Sequence, residues 1–353
     1  MQTEVLTCEN ARSRGRSIKR AAGILTAGGI VGFPTETVYG LAVIAGNTAA
    51  EIRLRKVKGR SPEKPFTVAV ADVKSVSRFV GSVSTIGRRL MNRCWPGPLT
   101  IVFETADGKT VGLRLPANEL AVELIEKSGG AVLAPSANPE GEEPATTSDG
   151  VVAAFDGEID AVLDGGPAEL GQPSTVVRLH GDTYEVLRQG ALSESRLRRA
   201  AGTVILFVCS GNSCRSPIAE ALCRKMLAEK LNVIPDKLEE HGYTVLSGGI
   251  AGGFAAAASE KAINVMHELG LDISDHLSQT VTREMVEYAD RVLVMTPQQM
   301  RQVLRLAPDA KGHITLLDPR GRSVDDPHHG DLETYRRCAR LIQKALEKRI
   351  SEL

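Results

Sequence analysis

The residues best suited to chemistry lie in the segment 204–217, VILFVCSGNSCRSP. Its apolar run ends at Cys209, and a loop containing Gly211 leads to Arg215 and then to Ser216. A continuous apolar run is typical of a strand buried on both faces of a parallel sheet, and Ser-Pro is typical of a helix start. Backbone N–H groups of the loop and the helix N-terminus would then surround one anion site at the carboxyl edge of the sheet.

This loop contains the groups that phosphoryl transfer through a cysteine requires. The positive field of the loop and the guanidinium of Arg215 favour the thiolate of Cys209, which is the nucleophilic form. Arg215 can also bind two phosphoryl oxygens at once. The alternative, a buried structural cysteine before a helix cap, leaves the C-x5-R-S spacing unexplained. We therefore predict a site that combines a nucleophile with an oxyanion cradle.

Length, charge and cysteine use limit the classes of protein that this chain can belong to. The 353 residues fit two domains, and the 43 basic and 43 acidic residues leave no net charge to attract nucleic acid or membrane. No run is long enough to span a bilayer, and the six scattered cysteines form neither a disulfide framework nor a zinc-ligand pattern. We expect a cytoplasmic protein with reduced cysteines and no metal site of its own.

Residues 15–195 alternate helical and strand patterns. A basic helix is predicted over Ala49–Lys58, and because its macrodipole favours cations at that end, Arg53, Arg55 and Lys56 can also be ordinary surface charges. Polar side chains beside glycine or proline turns occur in the segments 94–100, 111–116, 132–138, 164–166 and 173–177. They predict a cavity lined by Thr, Ser, Asn and Arg, which suits a zwitterion and a polyphosphate. No Walker loop is present, so a nucleotide would be held in another way.

Six motifs follow one another over residues 15–195. They are Phe33–Leu41 (FPTETVYGL), Lys58–Arg60 with Lys64-Pro65, Trp95–Thr100 (WPGPLT), Ala134–Asn138 (APSAN), Pro173–Thr175 (PST) and Leu187–Gly190 (LRQG). Together they resemble the threonylcarbamoyl-AMP synthase family. Members of this family condense L-threonine, bicarbonate and ATP into threonylcarbamoyl-AMP and pyrophosphate, the first step of a modification of adenosine 37 in tRNA. The resemblance implies the same activity here, with tRNA involved only through later enzymes of the pathway.

The resemblance also implies roles for the matching side chains. Those on the ATP side would be Lys58, Arg60, Lys64, Thr100, Asn138 and Arg188. Those that hold threonine would be Thr35, Arg114, Ser136 and Ser174, with Arg114 pairing the carboxylate. Mg²⁺ would arrive on ATP, and catalysis would come from holding charged reactants in line. The chain departs from many members at Phe66–Ala69, where they have a histidine.

The loop VCSGNSCRSP resembles that of the low-molecular-weight protein tyrosine phosphatase family, whose arginine phosphatase and arsenate reductase relatives share the fold. The resemblance implies that Asn212 and Ser216 brace the loop and hydrogen-bond the thiolate, and that His276 orients the asparagine. It also implies that Cys214 can form a reversible disulfide with Cys209, the alternative being simple packing. No cofactor is implied for this half.

Two Asp-Pro pairs, at Asp318 and Asp326, could supply the acid that protonates the leaving group. Proline holds the preceding residue in an extended conformation, which could direct either carboxylate towards the leaving group. Asp-Pro pairs are also common in ordinary turns. The family has its acid in an Asp-Pro-aromatic-x-Gly segment before the last helix, which matches Asp326–Tyr335. Asp326 is therefore the predicted acid, with His328 in place of the usual aromatic residue.

The substrate of this half stays open between phosphoarginine and phosphotyrosine. In the family the residue at position 213 points into the pocket, and the small Ser213 weakens the tyrosine interpretation. The segments Ser247–Phe254 and Gly330–Tyr335 favour the arginine branch. Arsenate reduction is the alternative, but it needs a relay of further cysteines, and Cys223 and Cys338 lie on predicted helices without a close pair.

The sequence thus predicts an α/β protein of two domains. Residues 15–195 would form a twisted open-sheet synthase domain, and residues 203–353 a small doubly wound parallel-sheet phosphatase domain. The chain would be a bifunctional enzyme that acts on a phosphorylated protein in its second half. The competing hypothesis is that the first half is a non-catalytic RNA-binding module.

Overall fold

The computed structural model describes residues 2–251, 253 and 255–353, and the chain divides into two compact units. These are Met1–Ala200 and Ala201–Leu353. Each is an α/β fold, as predicted. The first unit includes a strand at Glu4–Thr7, so its sheet begins before residue 15.

The first unit is built on a mixed sheet. The strands are β1 Glu4–Thr7, β2 Val31–Phe33, β3 Gly40–Ile44, β4 Val68–Val70, β5 Leu99–Glu104, β6 Thr110–Arg114, β7 Ala131–Leu133, β8 Ala161–Asp164, β9 Thr175–His180 and β10 Thr183–Arg188. Their order in the sheet is β1-β8-β2-β3-β7-β4-β6-β5-β9-β10, with parallel and antiparallel neighbours. The helices are α1 Ala11–Thr26, α2 Thr48–Lys58, α3 Thr85–Cys94, α4 Glu119–Lys127, α5 Ser148–Phe155 and α6 Glu194–Ala201.

Helix α1 starts earlier than its apolar periodicity predicts. The pattern indicates a helix from Ile18, whereas the helix begins at Ala11 behind Asn10, whose side chain accepts hydrogen bonds from the backbone N–H groups of Arg12 and Ser13. Such a cap stabilises a helix start even where the first turns are charged and exposed. The apolar part of α1 packs with α4 onto the sheet.

The second unit is a doubly wound sheet, as predicted. Its strands are β11 Thr203–Cys209, β12 Tyr243–Gly249, β13 Arg291–Val294 and β14 Ile314–Leu316, all parallel in the order β12-β11-β13-β14. Its helices are α7 Arg215–Leu231, α8 Glu260–Glu268, α9 Arg283–Tyr288, α10 Pro297–Leu306 and α11 Leu332–Arg349. None of the described helices of the chain is long and apolar enough to cross a membrane.

Strand β11 separates two hydrophobic cores because alternate side chains point to opposite faces of a sheet. Ile205, Phe207 and Cys209 pack in a core with α7, α8 and α11. Val204, Leu206 and Val208 pack on the other face in a core with α9 and α10. Burial on both faces explains the unbroken apolar run of this strand. The same packing determines that the strand ends at Cys209, where the loop begins.

The segment after β10 is held to the start of β9 by one buried threonine. The Thr175 hydroxyl donates to the carbonyl of Leu192 over 2.8 Å and accepts from the N–H groups of Gly190 and Leu192 at 3.0 and 3.1 Å. Gly190 is required there because a Cβ atom would lie 2.3 Å from the carbonyl oxygen of Pro173. Arg188 is thereby placed beside Ser174, with its Nη2 donating to the Ser174 carbonyl over 2.8 Å.

Replacing Thr175 with valine should destabilise the first unit. Valine keeps the shape but leaves the N–H groups of Gly190 and Leu192 without their acceptor, which costs about 1–3 kcal/mol per unsatisfied group. Calorimetry of the full chain should show an earlier unfolding transition. Thr183→Val, the same change at an exposed position of β10, is the control. Equal shifts for the two variants would contradict the anchoring role.

Candidate active sites

A cleft in the first unit brings together most of the predicted polar residues. Its volume is about 740 Å³, including space open to solvent. The predicted residues that line it are Thr35, Arg60, Thr100, Arg114, Ser136, Ser174 and Arg188. They come from strand ends and loops that are distant in sequence, which is the arrangement the turn-flanked motifs predict.

Three guanidinium groups give the cleft its charge. Arg60, Arg114 and Arg188 all line it. Burial lowers the pKa of Arg188, and the nearby charges of Arg114 and Arg60 lower it further. Burial is also the main cause that lowers the pKa of Arg60. The cations thus repel one another in a partly buried place, and an anion bound among them would relieve that repulsion.

Arg114 is held by a buried carboxylate that sequence reasoning missed. Its Nη2 donates to Glu36 Oε1 and to Thr37 Oγ1, both over 2.8 Å. Glu36 is 5% exposed, and its other oxygen accepts from the N–H of Ala117 at 3.1 Å. Glu36 lies within the FPTETVYGL motif, which was the available signal. The pair fixes the guanidinium plane at the wall of the cleft.

Lys58, Lys64 and Asn138 are not among the residues that line this cleft. The ammonium of Lys58 donates to the carbonyls of Ser136, over 2.6 Å, and Asn138. Lys58 is 3% exposed, and burial, followed by repulsion from Arg60, lowers its pKa to about 8. Lys64 pairs with Glu140. In this structure Lys58 therefore holds the loop that carries Ser136 at the cleft wall.

The hydroxyl groups of the cleft are fixed by local hydrogen bonds. Thr100 Oγ1 and Ser174 Oγ lie 2.9 Å apart. Thr35 Oγ1 donates to the carbonyl of Val38 over 2.6 Å, and Ser136 Oγ donates to Asn138 Oδ1 over 2.6 Å. The cleft therefore presents oriented polar groups beside its arginines. Within the described residues, no group of three His, Cys, Asp or Glu side chains forms a metal-binding cluster.

In the second unit, the Cys209 loop wraps around the thiol at the end of β11. Cys209 is 2% exposed, and its Sγ lies 2.9 Å from Ser216 Oγ and accepts from the N–H of Asn212 at 3.2 Å. Helix α7 begins at Arg215, so its N-terminus faces the loop. A helix N-terminus and inward N–H groups together form a site for an anion.

Asn212 braces the loop from a left-handed conformation, with φ of 54°. Its Nδ2 donates to the hydroxyls of Ser216 and Ser247, each over 2.9 Å, and its Oδ1 accepts from the N–H of Gln279 at 2.9 Å. His276 Nε2 lies 2.8 Å from the Asn212 carbonyl oxygen. The predicted residues are thus together. Ser247 and Gln279 were missed, and nothing in their local sequence indicates this role.

Arg215 is buried with donors directed to two sides. Nη1 donates to the carbonyl of Val324 over 3.2 Å, while Nη2 donates to Ser210 Oγ over 3.2 Å and contacts the carboxylate of Asp326. Among the described residues its buried Nε finds no hydrogen-bond partner. An unsatisfied buried donor costs about 1–3 kcal/mol, and a bound oxyanion would satisfy it.

The two candidate acids differ in their surroundings. Asp318 is tied to its own turn: the N–H of Arg320 is the main cause that lowers its pKa, and a hydrogen bond from Arg322 lowers it further. Asp326 is half exposed and lies against Arg215. The geometry therefore supports Asp326 as the acid at this site.

Cys214 lies in a small polar cluster. Its Sγ contacts Ser259 Oγ at 3.2 Å, Tyr335 OH at 3.3 Å and Ser213 Oγ at 3.6 Å. Burial raises the pKa of Tyr335 to about 12, which keeps the phenol neutral. All six cysteines are free thiols. Part of the predicted glycine-rich segment, Gly252 and Phe254, lies outside the described residues.

The chain thus combines a unit with an arginine-lined cleft and a unit with a cysteine-arginine phosphate loop. Residues 23–190 match the Sua5, YciO and YrdC family model, described as "Telomere recombination". Residues 204–353 match the model of the low molecular weight phosphotyrosine protein phosphatase. The chain therefore belongs to the threonylcarbamoyl-AMP synthase family and carries a low-molecular-weight phosphatase domain. Both resemblances predicted from the motifs are confirmed.

Relatives support this assignment for the first unit. Threonylcarbamoyl-AMP synthase of Bacillus subtilis is 36% identical over 197 residues, covering 53% of this chain and 57% of the relative. A putative threonylcarbamoyl-AMP synthase of Mycobacterium tuberculosis is 32% identical over 209 residues, covering 57% of this chain and 96% of the relative. The match thus spans little more than half the length of the Bacillus subtilis protein.

A solved structure shares the fold. The structure of Pyrococcus abyssi Sua5 complexed with L-threonine has a TM-score of 0.53 to this chain at 24% identity. The similarity covers 70% of this chain and 92% of the Pyrococcus chain. It supports the α/β architecture.

The Cys209 loop should bind inorganic phosphate. Binding to the folded state alone raises stability by mass action, so phosphate should raise the unfolding temperature of the second unit. Arg215→Lys keeps the charge but loses the planar donors, and the shift should largely disappear. Arg322→Lys, next to Asp318 and outside the loop, should keep the shift. Calorimetry checks this, and an equal shift in both variants would contradict the assigned site.

Proposed function

We propose that the chain is a bifunctional enzyme whose first unit makes threonylcarbamoyl-AMP and pyrophosphate from L-threonine, bicarbonate and ATP. The observation that carries the proposal is the cleft in which three arginines meet four oriented hydroxyl groups. Its support is the similarity to proteins named threonylcarbamoyl-AMP synthase and to a Sua5 structure complexed with L-threonine. The product would serve modification of adenosine 37 in tRNA, and tRNA itself would meet only later enzymes.

Within this cleft, Arg114 would pair the carboxylate of threonine. Thr35, Ser136 and Ser174 would orient the amino acid. On the other side, Arg60 and Arg188 would neutralise ATP phosphates beside Thr100. Lys58, Lys64 and Asn138 do not line the cleft, and Lys58 would act on the ATP side by holding the wall that carries Ser136. Mg²⁺ would enter bound to ATP, since no carboxylate is among the described residues that line the cleft. Such a site accelerates the reaction by alignment and charge neutralisation.

The polar cleft counts against an RNA-binding module as the role of this unit. A module that binds the phosphate backbone needs an exposed basic surface. Here Arg60, Arg114 and Arg188 line a concave cleft of ligand size. We also propose that the protein works in the cytoplasm, where ATP and tRNA precursors meet.

We propose that the second unit is a cysteine-dependent protein phosphatase. The Cys209 thiolate attacks the phosphorus, the S–P bond forms, and the bond to the leaving group breaks as Asp326 donates its proton to that group. Water then attacks the phosphocysteine and gives a proton to Asp326, which releases phosphate and restores the thiolate. Arg215 neutralises the charge that develops on the phosphoryl oxygens.

The substrate would be a protein carrying phosphoarginine or phosphotyrosine. Ser213 is small and half-buried, and by the resemblance to the phosphatase family a small residue here would favour phosphoarginine. His328, two residues after Asp326, would contact the leaving group. Arsenate reduction is less suited to this unit because a relay needs reactive thiols. Burial raises the pKa of Cys223 and of Cys338 to about 12, which keeps both protonated.

Lys58→Ala should abolish threonine-dependent pyrophosphate release. The change removes a positive charge and the ammonium that donates to the carbonyls of Ser136 and Asn138, so the cleft wall loosens. Hydrolysis by the second unit should continue. Lys56→Ala, an exposed lysine of the same helix, is the control and should keep full synthase activity. A Lys58→Ala enzyme with an undiminished rate would disprove the role of that lysine.

Phosphate release from matched phosphoarginine and phosphotyrosine peptides should depend on Cys209 and Asp326. Cys209→Ser should be inactive, and Asp326→Asn should lower kcat by about 10²-fold or more because it cannot donate the proton. Asp318→Asn, at the other Asp-Pro pair, should keep most of the rate. We expect phosphoarginine to react faster. The reverse preference would show that the size of residue 213 does not select the substrate.

A further inference from the structure

Gln299, near the start of α10, is held in one orientation. It is 3% exposed, and its Oε1 accepts hydrogen bonds from the N–H groups of Met295 and Thr296, each at 3.1 Å. Backbone N–H groups can only donate, so the oxygen of the amide must face them. The amide nitrogen therefore faces the other way, where it donates to Ser210 Oγ over 3.0 Å.

The hydroxyl of Ser210 is oriented in turn. Its oxygen accepts from Gln299 Nε2 and from Arg215 Nη2, at 3.0 and 3.2 Å. A hydroxyl oxygen has two lone pairs and one hydrogen, so both lone pairs are in use. The hydrogen must point away from the two nitrogens. Ser210 directly follows Cys209 and is exposed at the loop, next to the guanidinium whose Nε is unsatisfied.

We propose that Gln299 is a positioning residue for the second unit: it turns the Ser210 hydroxyl so that its hydrogen is donated to a phosphoryl oxygen bound beside Arg215. The inference rests on the proposed phosphatase function and adds a donor and its support to it. The neutral amide is essential because its N–H group donates to the Ser210 oxygen. A side chain that can only accept would draw the hydrogen of the Ser210 hydroxyl towards position 299, away from the phosphoryl group. The ligand class is the oxyanion of a phosphate ester or phosphoramidate.

Gln299→Glu separates this role from a structural one. A carboxylate still accepts from the N–H groups of Met295 and Thr296, so the helix start is kept, but it cannot donate to Ser210. The hydroxyl would then donate to the carboxylate and be lost to the substrate. Ser210→Ala removes the same donor directly. Gln298→Glu makes the identical chemical change one residue earlier, at an exposed position, and is the matched control.

The experiment measures the dissociation constant of inorganic phosphate by calorimetry and kcat/KM for para-nitrophenyl phosphate in the full chain. One hydrogen bond to a charged group is worth about tenfold, so Gln299→Glu and Ser210→Ala should each weaken phosphate binding and lower kcat/KM by about tenfold. In the double variant the two losses should not add, because both remove one donor. Gln298→Glu should match the wild type.

Three results would overturn the inference. The first is an unchanged phosphate affinity in Ser210→Ala. The second is that Gln299→Glu weakens phosphate binding equally in the presence and in the absence of the Ser210 hydroxyl, which would indicate a charge effect alone. The third is that Gln298→Glu weakens phosphate binding as much as Gln299→Glu does. Should Gln299→Glu unfold, the result for Ser210→Ala still decides. The proposed phosphatase function fails separately, if the wild type binds phosphate but shows no hydrolysis that depends on Cys209.

Discussion

Both sites depend on a glycine that allows two backbone segments to approach each other. At Gly249, the end of β12, a Cβ atom would lie 2.8 Å from the Ser210 carbonyl oxygen and 2.9 Å from the Asn212 nitrogen. At Gly190 it would lie 2.3 Å from the Pro173 carbonyl oxygen. Cβ atoms do not approach backbone so closely, so any other residue would push the loop away. The polar groups of each site can converge because these positions carry no side chain.

The cations of the two units are stabilised in different ways, and the difference indicates what each can do. Lys58 is enclosed, and its ammonium is occupied by the carbonyls of Ser136 and Asn138. Arg114 is fixed by Glu36. Arg215 is buried as deeply, yet its Nε is left unsatisfied within the described structure. Burying an unpaired polar group is costly unless a ligand completes the site. Lys58 thus supports its loop, whereas Arg215 is prepared to bind an anion.

The sequence predicted the parts of the protein that rest on local pattern. An apolar run, a glycine and Ser-Pro predict the buried strand that ends at Cys209, the loop and the helix after it. The motifs of the first unit also singled out seven polar residues that line one cleft in the structure. Helix α10 carries a Thr-x-x-Gln capping box at Thr296, a recognisable start signal that was not used. The strands β1 and β14 are short and lack a distinctive pattern.

The missed site residues share one physical reason. Glu36, Gln279 and Gln299 act through contacts with segments far away in the chain, such as Arg114, Asn212 and Ser210. Local spacing carries no information on such contacts, because the partner is chosen by how the sheets and loops pack. The capping box would identify Gln299 as a helix cap, but only the folded chain shows where its amide nitrogen points.

The contact between Asp326 and Arg215 connects substrate binding to proton transfer in the proposed mechanism. Arg215 Nη2 contacts the Asp326 carboxylate and also donates to Ser210 Oγ over 3.2 Å. A phosphoryl group bound in the Cys209 loop would compete for these donors, so its binding would release the Asp326 side chain from Arg215. Asp326 could then turn towards the leaving group, so binding of the substrate itself would place the group that donates the proton.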